Sequence, residues 1–208
     1  MFNVILKSGK DASPRRFHPW IFSGAIKKIK TAAGQDAEPQ EGDLVRVTSN
    51  KGDFLGTGHY QNGSIAVRIL SFQDVEIDED FWTKRIKEAY ELRQQIHLTD
   101  NKSTNIYRLI HAEGDGLPGL ILDYYAGTVV VQSHSIGMHY AKDIIVKAIK
   151  NVYGDKLKAI FDKSEGTLPK TGPVQVEDHY IYQSEDFTSV GLEHGCKFKI
   201  DWEKGQKT

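Results

Sequence analysis

The sequence predicts an α+β chain: a small β-barrel in front, then a second α+β domain with the outline β-β-α-β-β. Three observations predict it. The first 73 residues read as short alternating strands broken by turns. Residues 78–96 carry one long amphipathic pattern. Beyond Asn105, strands alternate with one further helical pattern. The 208 residues, 39% of them apolar, suffice for one large domain or two small ones with packed cores.

Each element has its own local signal. "FNVILK", "DLVRVTS" and "SIAVRILSF" alternate apolar with polar side chains, as half-buried strands do. "NKGD", "GTGH" and "QNGS" break them, and Asn62-Gly63 predicts a type I′ hairpin turn. In "DEDFWTKRIKEAYELRQQI", Phe81, Trp82, Ile86, Ala89, Tyr90 and Ile96 fall at helical spacing, with Arg93 as a snorkelling member. Asp78 and Glu79 suit the start of that helix. "HLTDNKST" then reads as a polar linker between domains. Three strands follow, with turns at Gly114–Gly119 and Ala126–Gly127. "IGMHYAKDIIVKAIKNVYG" predicts one amphipathic helix stopped at Gly154. "LKAIFDK", "HYIYQ", "FTSVGLEHG" and "CKFKIDW" close the chain as strands, with His194-Gly195 as a turn and "EGTLPKTGPVQ" as a loop.

Composition narrows the function classes. No apolar run approaches the ~18 residues of a membrane span, and no secretory core follows Met1. A single cysteine, Cys196, excludes an intramolecular disulfide. A cytoplasmic chain with no membrane partner is expected. The net charge of −1 hides an asymmetry: residues 1–73 carry ten basic and six acidic side chains, a balance of +4. A basic front half suits a polyanion partner, although a balance of that size also arises without one.

Motifs for chemistry are sparse. Gly114, Gly116 and Gly119 fit G-x-G-x-x-G. A dinucleotide or cofactor loop needs a helix next, and the β-leaning "LILDYY" follows instead, so the stretch reads as a turn. Cys196 alternates with Phe198 and Ile200 and is expected to face inward as inert packing. The histidines show no zinc spacing, and Glu113, Asp115 and Asp123 read as ordinary turn carboxylates. No catalytic or metal site is predicted.

"SPRRFHPWIFSGAIKKIK" stands apart because it mixes basic groups with aromatics. Arg15, Arg16, His18, Lys27, Lys28 and Lys30 are the candidate RNA-binding residues. Trp20 could stack on a base or pack inside; its neighbours Ile21, Phe22 and Ile26 favour the core.

"RRFHPWIFSGAI", with "EGDLVRV", "FLGTGHY" and "SIAVRILSF" after it, resembles the N-terminal PUA domain of class I S-adenosylmethionine-dependent RNA methyltransferases, nearest the large-subunit ribosomal RNA cytosine-5 group. "YRLIHAEGDGLPGLILDYY" resembles that family's central α+β domain, and "FKIDWEKGQKT" its linker to a Rossmann-like catalytic domain. The resemblance implies a PUA-like domain over residues 1–73, a helix and linker over 74–102, a central domain over 103–201 and the linker's start over 202–208. It implies that the catalytic domain, with its nucleophilic cysteine, lies outside this chain. S-adenosylmethionine is then the cofactor of a longer parent and none is expected for this chain alone. Ribosomal RNA is the implied partner, and Gln206 and Lys207 are implied to border the cofactor pocket. Asp201 to Thr208 is accordingly expected to be exposed. The rival expectations are a complete stand-alone RNA-binding protein, a self-sufficient hydrolase built on central-domain Asp and His residues, and a structural role with the central domain as spacer or dimerisation surface.

Overall fold

The computed structural model describes residues 1–169 and 174–205. The chain divides into two compact units. The first comprises residues 1–76 and 135–140; the second comprises residues 77–134 and 141–208.

The first unit holds six strands: β1 (Phe2–Leu6), β2 (Trp20–Phe22), β3 (Ile26–Lys30), β4 (Leu44–Thr48), β5 (Phe54–Tyr60) and β6 (Ile65–Ser71). They form one sheet in the order β2-β6-β5-β4-β1-β3. β1 runs parallel to β4 and antiparallel to β3. The end strands β2 and β3 are not hydrogen-bonded to each other; a 3-10 turn over Ser23–Ala25 joins them along the chain. Alternation places the core: Val4 and Leu6, Val45 and Val47, Val67 and Ile69 point inward with Ile21 and Leu55.

"GTGH" is no turn but the middle of β5. A Cβ on Gly58 would lie 2.0 Å from the Arg68 carbonyl oxygen, and one on Gly56 2.7 Å from an Ile69 methyl. β6 presses against β5 so closely that only glycine fits. Asn62-Gly63 also differs from expectation. Gly63 has positive φ but Asn62 does not, and the loop runs from Gln61 to Ser64, longer than a two-residue turn.

The second unit begins with α1 (Glu79–Gln95). Asp78 caps it by accepting the Phe81 N–H at 2.9 Å. Trp82, Ile86, Ala89 and Arg93 form its buried stripe. Then come β7 (Ile106–His111), β8 (Leu120–Tyr125) and β9 (Thr128–Ser133). The predicted single helix over 136–153 is two helices. α2 (Ile136–Tyr140) belongs to the first unit, and α3 (Lys142–Tyr153) to the second. Gly154 follows α3 with positive φ, as a C-terminal cap does. β10 (Ala159–Asp162), β11 (His179–Gln183), β12 (Val190–Glu193) and β13 (Cys196–Lys199) complete the chain.

The five-stranded sheet runs β11-β10-β9-β8-β7. Only β9 and β10 are parallel, with α3 as their crossover. Ala126 and Gly127 both take positive φ, as do His194 and Gly195, so each pair makes a tight two-residue hairpin turn. β12 and β13 form a separate two-stranded ribbon. That overturns the inward placement of Cys196: all four residues of β13 are exposed. Alternation sorts side chains onto two faces, but the ribbon packs only through β12, whose Gly191 is buried close to Ile106, and leaves both faces of β13 uncovered.

The close of the chain departs from expectation at Trp202, whereas Asp201, Glu203 and Lys204 are exposed. Trp202 is only 4% exposed, packed with Val130 and Phe161 and ringed by Tyr125, Tyr180 and Phe187. Gln206 and Lys207 lie outside the described residues. Among the described residues, no helix is long and apolar enough to cross a membrane.

Candidate nucleic-acid interface

The basic-aromatic stretch folds into a corner between β1 and β2. Pro14 fixes the first turn position of a 3-10 turn over Pro14–Arg16, and Phe17 leaves it in the left-handed region at φ 62°. The Arg16 N–H donates to the Ser13 carbonyl at 3.0 Å and the Phe17 N–H to Pro14 at 2.9 Å. Arg15, Arg16, Phe17 and His18 are all exposed. Phe17 meets Phe72 edge-on at 5.3 Å between ring centres, and was not among the sequence-derived candidates. Its exposure at 73% could not be read from a pattern, because strand alternation does not extend into a corner.

The candidate residues divide by what they touch. Arg15 donates to Asp11 at 2.8 Å and to Asp53 at 2.5 Å. Its guanidinium holds both carboxyls below the usual range. Lys27 donates to the Asn50 side chain at 2.8 Å. Arg15 and Lys27 thus meet the same turn, Ser49–Asp53, whose ends are joined by the Ser49 N–H to the Asp53 carbonyl. Lys28 and Lys30 share the other face of β3, opposite Ile5 and Asn3 of β1. Lys28 is exposed and Lys30 half-buried. His18 accepts the Trp20 N–H on Nδ1 at 3.2 Å, which leaves the neutral ring's proton on Nε2. The structure therefore brings Arg15 and Lys27 together and sets Lys28 and Lys30 along an edge strand.

Trp20 is not in the core. On β2 it is Ile21 that is buried, while Trp20 is half-buried and Phe22 is 48% exposed. The Trp20 ring stands edge-on to His18 and to Phe22, at 5.8 and 6.4 Å. Apolar neighbours in sequence pointed to one cluster, but a strand sends adjacent residues to opposite faces.

The central unit gives no competing site among the described residues. Asp115 is held by Arg93, and Asp123 by Arg108 at 2.9 Å. G-x-G-x-x-G spans a 3-10 turn over Ala112–Asp115 between two antiparallel strands, with Gly116 left-handed at φ 68°. Among the described residues, no group of three His, Cys, Asp or Glu could hold a metal.

Residues 4–72 match the PUA-like domain family. Along nearly its whole length the chain is similar to proteins named ribosomal RNA large subunit methyltransferase I. It is 32% identical over 208 residues to that of Erwinia tasmaniensis and 37% over 208 residues to that of Shewanella frigidimarina, covering 99% of this chain each time. The chain spans about half the length of these curated relatives, 50% in both. Among solved structures it resembles "A putative sam-dependent methyltransferase from Streptococcus mutans", with a TM-score of 0.74, 19% identity and coverage of 95% of this chain and 48% of that one. A second, complexed with SAH, has the same score and identity, with coverage of 95% and 47%. At that identity the structures speak to the fold alone.

Proposed function

We propose that this chain is the RNA-binding and substrate-positioning part of an S-adenosylmethionine-dependent ribosomal RNA methyltransferase of the cytosine-5 class, acting in the cytoplasm. The observation that carries the reading is the similarity over 99% of the chain to proteins named for that activity on ribosomal RNA. The PUA-like match over residues 4–72 supports assigning the RNA-facing part to the first unit. Methyl transfer and the cofactor are assigned to residues beyond these 208, with Gln206 and Lys207 bordering the cofactor pocket. A cytosine-5 enzyme needs a thiolate to add to C6, so that C5 becomes nucleophilic. Cys196 sits on an exposed ribbon and is not given that role.

Phosphate contacts are assigned to Arg16, His18, Lys28 and Lys30, with Lys27 and Arg15 holding the Ser49–Asp53 turn beside them. Arg15 contributes less net charge, because two carboxylates already offset it. The test is RNA binding against salt. The three cations among these contacts, Arg16, Lys28 and Lys30, give a slope of about −2 in log K against log salt on a single strand. A fourfold rise in salt then weakens binding by about 20-fold by the same relation. The double change Arg16→Ala and Lys28→Ala flattens the slope by about 1.4. Salt-independent binding, or a slope unmoved in the double variant, would overturn this assignment.

A further inference from the structure

Beside the corner lies a cavity of about 370 Å³, lined by Trp20, Phe22, Pro14, Lys10, Ser13 and Gly24 among others. Its size falls within the range of small-ligand sites, about 300–1,000 Å³. Two of its lining residues are aromatic, and the Trp20 and Phe22 rings stand 85° apart. A planar ligand stacked on one ring therefore meets the other edge-on, and both contacts are favourable for π-systems. Nearly half of Phe22 is exposed, at 48%, although its strand neighbour Ile21 is fully packed. Lys10 lies on the lining and is exposed, in a unit whose balance is basic. Lys7 donates to the Gly24 carbonyl at 2.8 Å, which fixes the cavity's far rim.

The geometry points to this cavity as the seat of one unpaired ribonucleotide, its base against Trp20 and Phe22 and its phosphate towards Lys10. The inference rests on the RNA-binding reading above and adds a base-recognising subsite to it. Stacking needs an accessible ring and a phosphate needs a cation; Phe22, 48% exposed, and Lys10 line the same cavity. Arg15 tied to Asp11 and Asp53 braces the corner from which Ser13 and Pro14 line one wall.

The experiment compares a single-stranded oligoribonucleotide with the same strand made abasic, both bound to the full chain at one salt concentration. Wild-type protein should prefer the base-bearing strand by about tenfold, within the range of one base–aromatic stack. Phe22→Ala should cut the preference severalfold, leaving what Trp20 alone supplies, with abasic binding unchanged, and Phe22→Leu, which keeps an apolar side chain there, should do the same. Lys10→Ala should weaken both strands and flatten the salt slope by about 0.7. A ribonucleoside monophosphate should shift the indole N–H resonance of Trp20 but not those of Trp82 and Trp202, a readout that needs no variant. Wild-type protein that binds both strands equally, or an unmoved Trp20 resonance, removes the subsite and leaves the phosphate-binding reading standing. Wild-type protein that binds neither strand removes both.

Discussion

Arg93 grips Asp115 with both prongs of its guanidinium, Nη1 to Oδ1 at 2.5 Å and Nη2 to Oδ2 at 2.8 Å. The pair joins the last turn of α1 to the turn that carries the glycine motif. Asp115 also accepts the His111 N–H at 2.6 Å, and Arg93 Nε donates to the Arg108 carbonyl at 3.0 Å. The two side chains are 11% and 7% exposed. Removing one partner strands a buried charge. Arg93→Ala should therefore cost about 3–5 kcal/mol. Arg93→Lys should recover part of that, since it restores charge without the two-pronged geometry. Urea unfolding of the three proteins measures it. A loss below ~1 kcal/mol would mean that the turn holds without the pair.

His59 carries a pH signature in the acid range. It lies on β5 under α2, where a Cβ on Gly137 would come within 2.2 Å of its ring. Burial lowers its pKa from 6.5 to about 4, with the Arg68 charge adding to the effect. The folded state keeps this ring neutral, whereas the unfolded chain takes up a proton below about pH 6.5. The associated stability is fully present above pH 6.5 and is lost as pH falls to about 4. The shift amounts to roughly 3 kcal/mol. Denaturation midpoints of wild type and His59→Gln across pH 4–7 check it. The wild type should fall more steeply, and parallel curves would remove His59 as the cause.

How much of this was readable beforehand depends on where the burying surface lies. Val4 with Leu6 was legible because alternation and burial agree on β1, whereas β6 buries Ala66 and Leu70 as well as Val67 and Ile69, so alternation there shows only half of what is buried. Trp82, Ile86 and Ala89 were legible because a helix buries one stripe. Arg93 was read as snorkelling, since its partner sits 22 residues away on a turn that no local pattern reveals. The Gly56-Thr57-Gly58 stretch looks like a turn until β6 is seen pressed against it. One apolar stripe spanned Met138 to Val152 and hid the break at Ala141, where the chain passes from one unit to the other. At the interface, the residue types were legible in "PRRFHPWIF". The sharing of Arg15 between Asp11 and Asp53 was not, because Asp53 is 38 residues distant.

Cys196 offers a quick check of the ribbon. It is exposed on β13, which is hydrogen-bonded only to β12 among the described strands. An exposed thiol is accessible without unfolding. In native buffer, a disulfide-exchange reagent should modify Cys196 within about threefold of its rate in denaturant. Protection by orders of magnitude would mean that the ribbon packs against something that buries this face.

Trp202 decides whether the segment after β13 is fastened. Its indole N–H donates to the Tyr180 hydroxyl at 2.9 Å, and its ring meets Phe187 and Tyr125 at 5.7 and 6.2 Å. Lys163 adds a bond to the Glu203 carbonyl at 3.2 Å. A tryptophan this deeply buried should cost about 3–5 kcal/mol on truncation to alanine. Tyr180→Phe removes only the hydrogen bond and keeps the ring, so its cost should be near 1 kcal/mol. The contrast separates packing from polar anchoring. Equilibrium unfolding measures both, and protease digestion near Trp202 reports the local effect. Trp202→Ala should become cleavable there under native conditions, while Tyr180→Phe should stay resistant. Equal losses in the two variants would make the hydrogen bond the anchor, and no loss in Trp202→Ala would mean that the segment is not held by its ring.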